Sequence, residues 1–201
     1  MISIDPNTKT AKENYKLLTG TIIPRPIAFV TSSNQSGVIN GAPFSFFNVV
    51  SSDPPMISLA IQHRDGSSKD TARNIREQKE FVVHSVEEEQ VDKINITAAS
   101  LPAEESEIEK AGLTLVDSEK VSIPGIKEAK VRMECILEHT IPLGNEQMTE
   151  LIIGRIKKYH LAEDIYLKDD KIDFYALKTV SRLAGPNYAK LGDLFSIERP
   201  K

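Results

Sequence analysis

The sequence predicts a mostly β fold with inserted helices, a closed or partly open β-barrel, and three observations carry that expectation. At least six short runs of apolar and β-branched residues are bounded by Gly, Pro and Asn turn chemistry. The helical stretches between them are few and unevenly placed, which disfavours regular βαβ units. Pro24, Pro26 and Pro43 fall within or beside strand-like runs, and a residue that cannot donate to a ladder belongs at a strand start, an edge or a bulge. The 201 residues suffice for one domain with a real core, and 1–201 is taken as a single domain without internal repeats.

The elements follow in order. Ala11, Tyr15 and Leu18 share a helical face ahead of Gly20, which suits the left-handed position after a helix, so a short N-terminal helix is expected to stop there. Residues 21–31 and 38–50 flank Asn34-Gln35-Ser36-Gly37 and predict a β-hairpin. A third strand covers 56–62. Ser67-Ser68-Lys69-Asp70 then fits a capping box opening a helix through about Gln78, and 80–85 returns to strand. Ser85 with Glu88 repeats the capping pattern before the stripe Val91, Ile94 and Ala98, which Pro102 ends, and a second small helix covers 104–111. In 130–138, Val131, Met133, Cys135 and Leu137 alternate with more polar neighbours as in a half-buried strand. Gly144-Asn145 turns that strand into another over 149–161. A further strand is expected at 171–177, and the tail 180–201 reads as irregular.

Composition removes several functions. With 25 Lys and Arg against 29 Asp and Glu, the net charge of −4 gives no global field for a polyanion, so any phosphate site must be local and no nucleic-acid partner is expected. A lone Cys135 permits no intrachain disulfide, fits a reducing cytoplasmic setting, and alternates with apolar neighbours as a packed thiol. No basic-then-apolar leader opens the chain and no apolar run reaches the ~20 residues of a membrane helix, so neither export nor a membrane partner is expected. His63, His84, His139 and His160 stand singly without metal-ligand spacing, and no metal is expected. Phosphate-loop, dinucleotide-loop, hydrolase-elbow and zincin motifs are missing.

Two segments concentrate the remaining chemistry. Thr31, Ser32, Ser33 and Asn34, followed by Asn40-Gly41-Ala42-Pro43-Phe44-Ser45-Phe46-Phe47-Asn48, set hydroxyls and amides beside three phenylalanines. Such a lining suits a flat apolar ring with polar edges, and equally a hairpin whose Phe residues fill a barrel. Arg64-Asp65-Gly66-Ser67-Ser68-Lys69-Asp70-Thr71 delivers hydroxyls and a lysine to a helix start, where free amides attract anions; alternatively Ser67 and Asp70 cap the helix. Arg25, Arg73 and Arg182 add charge if the fold brings them near. The acidic runs Glu87-Glu88-Glu89 and Glu104-Glu105-Ser106-Glu107 read as solvated helix starts.

These segments, with Gly20-Thr21-Ile22-Ile23-Pro24-Arg25-Pro26-Ile27-Ala28-Phe29-Val30-Thr31, Asp53-Pro54-Pro55, Lys69-Asp70-Thr71 with Asn74-Ile75, and Arg182-Leu183-Ala184-Gly185-Pro186-Asn187-Tyr188, resemble the flavin reductase-like proteins of the FMN-binding split β-barrel fold, which include flavoredoxin. The resemblance implies a homodimer of split barrels holding FMN noncovalently near the subunit interface. Its implied cofactor-binding set is Arg25, Thr31, Ser32, Ser33, Asn40, Ala42, Pro43, Phe44, Ser45, Phe46, Ser67, Lys69, Asp70, Thr71, Arg182 and Tyr188, with the segment Ser67 to Thr71 matching a phosphate-binding turn. No catalytic side chain is implied: NADH or NADPH would pass hydride to flavin N5 while the protein supplies position and electrostatics. Many nicotinamide-dependent relatives carry Gly-Asp-His after the long strand, where this chain has Gly144-Asn145-Glu146. The missing histidine leaves two electron donors open, a reduced nicotinamide or, in a flavoredoxin-like carrier, another protein. A third reading, an oligonucleotide-binding barrel, has the acidic balance against it.

Overall fold

The computed structural model of the chain describes residues 1–99, 105–145 and 148–200. At the amino end Thr10 accepts the Glu13 amide and the Glu13 carboxylate accepts the Thr10 amide, a capping box that starts α1 (Ala11–Thr21). Next come β1 (Arg25–Pro26), β2 (Ala28–Ser33), β3 (Ile39–Phe44), β4 (Phe47–Ser52), β5 (Pro55–Gln62), α2 (Asp70–Gln78) and β6 (Glu80–His84). The second half holds α3 (Val91–Ile96), α4 (Glu107–Lys110), β7 (Leu115–Val116), β8 (Gly125–Ile126), β9 (Val131–Leu143), β10 (Thr149–Leu161), α5 (Phe174–Leu177), β11 (Val180–Arg182) and β12 (Tyr188–Lys190).

Seven strands form one antiparallel sheet in the order β3-β2-β6-β9-β10-β5-β4. Its two edge strands, β3 and β4, are consecutive in the chain and joined only by Ser45 and Phe46. So short a link reaches about 10 Å at most, and the sheet must curl until its edges meet along a seam. Pro43 sits in edge strand β3, where its missing donor is tolerated. β1, β11 and β12 make a separate three-stranded sheet, so the expected hairpin is β2–β3, and the irregular tail contains two strands.

The barrel interior is filled by Ala28, Val30, Leu59, Ile61, Phe81, Val83, Cys135 and Ile152, joined by Ala72 and Ile75 of α2. Phe29 points the other way, into a second cluster with Ile94, Ile108, Leu113 and Ile126. Both faces of β2 are therefore covered and all six of its residues are buried, the polar Thr31, Ser32 and Ser33 included. Close packing of α4 on β3 depends on Gly41: a Cβ there would lie 2.4 Å from Ile108 Cδ1 and 2.7 Å from Phe29 Cζ.

Several expectations are corrected. α1 continues through Gly20, which is not left-handed, to a cap at Ile22, and its side chains Tyr15, Leu17 and Leu18 face outward. Neither expected capping box forms: Lys69 and Gln90 are the N-cap residues of α2 and α3, and no side chain bonds either helix start. The strand expected at 171–177 is helical at α5 because Asp173 accepts the Tyr175 and Ala176 amides. Glu87 and Glu107 are buried rather than solvated. Glu134 breaks the half-buried alternation: it is fully buried and accepts the Glu119 and Lys120 amides at 2.8 and 2.5 Å and a His160 contact at 2.5 Å. Pro102 and Glu104 lie outside the described residues, as does Glu146 of the β9–β10 turn. No helix among the described residues is long and apolar enough to cross a membrane.

Candidate functional site

Beside the β3 edge a cleft of about 570 Å³ opens between the turn preceding α2, residues 97–99, α4 and β11. One wall is β3, with Asn40, Ala42, Pro43 and Phe44. The end of the cleft is a tight loop. Arg64 and Ser67 exchange backbone hydrogen bonds at 2.9 Å across Asp65 (φ 50°) and Gly66 (φ 75°), a turn that Asp-Gly favours because both residues tolerate the left-handed region. The chain then runs extended through Lys69 and enters α2, whose first residues Asp70 and Thr71 line the cleft and whose opening amides are bonded by no capping side chain.

The charges there are unevenly satisfied. Asp70 lines the cleft but is paired with Arg73. Lys69 lies 5.7 Å from the centre of the Phe44 ring and has no carboxylate partner among the described residues. Burial, reinforced by the neighbouring Arg64, pulls its pKa below the ordinary lysine value. A lysine destabilised in that way, next to uncapped helix amides, is relieved by an anion in the cleft. A phosphate-sized anion suits that end, and β3 with Phe44 offers an apolar wall for a flat ring.

Hydroxyls of the turn are mostly committed elsewhere. Thr71 donates to Asn40 Oδ1 at 2.8 Å, so its side chain orients β3 and only its amide is left for a ligand. Asn40 in turn donates to Glu107 Oε2 at 3.0 Å, which fixes the amide's orientation. Burial raises the Glu107 pKa, with the hydrogen bonds from Gly41 and Asn40 opposing that shift. Ser68 donates to Glu150 at 2.6 Å. The Ser67 hydroxyl and the Lys69 ammonium are left without a hydrogen-bond or ion-pair partner among the described residues, Lys69 lying only over the Phe44 ring.

Of the sixteen residues expected from the sequence, the structure brings nine to the cleft: Asn40, Ala42, Pro43, Phe44, Ser67, Lys69, Asp70, Thr71 and Arg182. Arg182 is held under Tyr188, 4.5 Å from its ring centre, while the Tyr188 hydroxyl donates to Asn95; Tyr188 thus supports the cleft without lining it. Arg25 is buried and spends its guanidinium on the carbonyls of Thr19, Ile22 and Leu183, stapling the end of α1 to the 183–187 turn. Thr31 donates to Pro124 O on the outer face of β2, and Ser33 to Asn34 O. Ser32 stands one layer behind, accepting from Asn74 and bonding Asn40. Ser45 and Phe46 form the seam link rather than the wall, with the Phe46 ring 6.3 Å from that of Tyr15. Tyr15, Arg64, Ser68, Thr97, Ala98, Ala99 and Glu107 also line the cleft; of these the sequence marks Arg64 and Ser68, as members of the polar segment 64–71, and gives no signal for the others as ligands.

No histidine lines the cleft. His84 is fully buried, donating from Nδ1 to Phe29 O and accepting the Ile126 amide at Nε2; burial drops its pKa to about 4 and keeps it neutral. Cys135 is buried and free, its thiol pKa pushed up by burial. Among the described residues no three His, Cys, Asp or Glu side chains form a metal-holding group.

Known proteins resemble this chain along nearly its whole length. Residues 19–176 match the flavin reductase like domain. A Bacillus subtilis protein is 52% identical over 195 residues, covering 95% of each chain. Component B of nitrilotriacetate monooxygenase from Bacillus cereus is 55% identical, superposes with a TM-score of 0.96 and covers 98% of both chains. The 2-nitrobenzoate 2-nitroreductase of Pseudomonas fluorescens is 32% identical with a TM-score of 0.89, covering 99% of this chain and 96% of its own.

Proposed function

The chain belongs to the flavin reductase-like family of flavin-dependent oxidoreductases with a split-barrel fold, and from that premise we propose that it binds FMN in the cleft beside β3 and passes electrons from NADH or NADPH to an acceptor. The observation that carries the reading is the uncapped start of α2 with a half-buried, unpaired Lys69 at the cleft end. Bound flavin supplies the hydride-accepting and hydride-donating chemistry.

This chain's own residues bind and orient. The amides of the α2 first turn and the Lys69 ammonium hold the phosphate, with Ser67 and Arg64 beside them. Ala42, Pro43 and Phe44 offer the apolar wall, and Arg182, fixed by Tyr188, adds positive charge at the rim. Glu107 and Asn40 keep β3 and Thr71 in register. No side chain of the cleft is needed as an acid or base.

A second copy of the chain completes the proposal. Leu17, Leu18, Ile22 and Ile23 near the end of α1 and Val49 and Val50 of β4 are exposed apolar residues, and the Tyr15–Phe46 contact sets α1 close to the β3–β4 link. These exposed apolar side chains support a homodimer. A buried, free Cys135 suits a reducing, cytoplasmic setting. Similarity to one component of a monooxygenase supports an acceptor outside this chain.

The second reading is an electron carrier reduced by a protein, and the absence of a histidine from Gly144-Asn145-Glu146 favours it. The test is the visible spectrum of the FMN-loaded protein, followed anaerobically on adding NADH and then NADPH. Rapid bleaching of the flavin band supports the reductase, a band that persists selects the carrier, and a protein that takes up no FMN overturns both.

A further inference from the structure

Outside the cleft, the most heavily committed side chain near the turn is Glu150 of β10. It is only 4% exposed, and a buried carboxylate is tolerated only when donors surround it. Three side chains supply them: His63 at 2.9 Å, Ser68 at 2.6 Å and Arg76. Arg76 also donates to Ser68 at 3.2 Å. All three donors come from the segment 63–76. His63 precedes the Arg64–Ser67 turn, Ser68 follows it, and Arg76 sits two turns into α2.

One carboxylate on a barrel strand therefore grips the segment before, within and after the cleft end. Its neighbours also place it there: the His63 amide donates to Met148 O at 2.8 Å, and Glu150 pairs with Ile61 of β5. The committed Ser68 hydroxyl then acts as a tether rather than as an anion ligand.

We infer that Glu150 is a positioning residue for phosphate recognition, tying His63, Ser68 and Arg76 to the barrel so that the 64–71 segment presents Lys69 and the α2 amides to a phosphate monoester already ordered. This rests on the FMN reading above. Binding to a preordered turn avoids the cost of ordering the loop at each binding event. Glu150 touches no part of the ligand, and its effect travels only through the turn.

The test compares FMN with riboflavin, which has the same ring system and no phosphate, by fluorescence titration of wild type and Glu150→Gln, with the melting temperature of each apoprotein. The expected result is a loss of FMN affinity of about tenfold to a hundredfold, the scale of a charged hydrogen bond, with riboflavin affinity within about twofold of wild type. Ser68→Ala, which leaves Arg76 and His63 on the carboxylate, is expected to show the same selective loss in smaller measure and keeps the inference testable if Glu150→Gln does not fold. Equal losses for both ligands, or an unchanged FMN preference in either variant that folds, would overturn the inference while leaving the FMN reading in place. A wild-type protein that binds riboflavin as tightly as FMN would overturn the phosphate assignment and this inference with it.

Discussion

The two longest helices begin in opposite ways. α1 starts with every requirement met internally, Thr10 and Glu13 closing on each other in a capping box at the solvent-exposed amino end. α2 starts after two serines and a lysine, yet no side chain caps it; Ser68 is drawn to Glu150, Thr71 to Asn40, and Asp70 to Arg73. A cap forgone costs about 1 kcal/mol. Accepting that cost at a helix start that lines the cleft keeps its amides for a ligand, whereas α1 has none to receive.

Making α2 resemble α1 gives the sharpest break of that contrast. Lys69→Asp places a capping carboxylate at an extended N-cap position and removes the cation. FMN affinity is expected to fall about a hundredfold or more, while the apoprotein melts no lower than wild type. Loss of both binding and stability would mean Lys69 is structural. Next in size is Gly41→Ala, whose Cβ meets Ile108 and Phe29. Overpacking of this kind costs about 1–3 kcal/mol, so denaturant melts should show lower stability and FMN affinity should fall with it as Glu107 and Asn40 shift.

The reciprocal change, Thr10→Ala, is expected to cost about 1 kcal/mol of stability and leave FMN affinity unchanged. A change in FMN binding would show that the two helix starts are coupled. The smallest effect belongs to Glu87, near the start of α3, where burial raises the carboxyl to about 7 from 4.5, opposed by the Ser85 hydroxyl and the nearby Lys130. A carboxyl with a raised folded pKa holds an extra proton in the folded state between those values, so its burden on stability grows as pH rises through that window. Glu87→Gln should therefore be more stable than wild type at pH 8, with the difference fading towards pH 5. Urea melts at both pH values check the sign.

Elements specified by local pattern were legible in the sequence. The Asn34–Gly37 turn placed the β2–β3 hairpin, and the stretch 149–161 is β10 to the residue. What escaped were groups whose partners lie far along the chain. Arg25 looked like a spare cation, but carbonyls at Thr19, Ile22 and Leu183 claim it. Ser67 and Asp70 matched a capping box locally, while contacts of Ser68 and Asp70 with Glu150 and Arg73 leave the turn open. Glu150 and Glu107 carry nothing in their neighbours that distinguishes them from surface acids; only the barrel brings His63, Ser68 and Asn40 to them. The strand expected at 171–177 failed for a local reason, because Asp173 caps α5.

The most direct measurement is diffraction from crystals grown with FMN. The expected result is phosphate density within hydrogen-bonding reach of the amides that open α2 and of Lys69 Nζ, with the ring along β3. Flavin density elsewhere, or a phosphate turned away from that helix start, would contradict it.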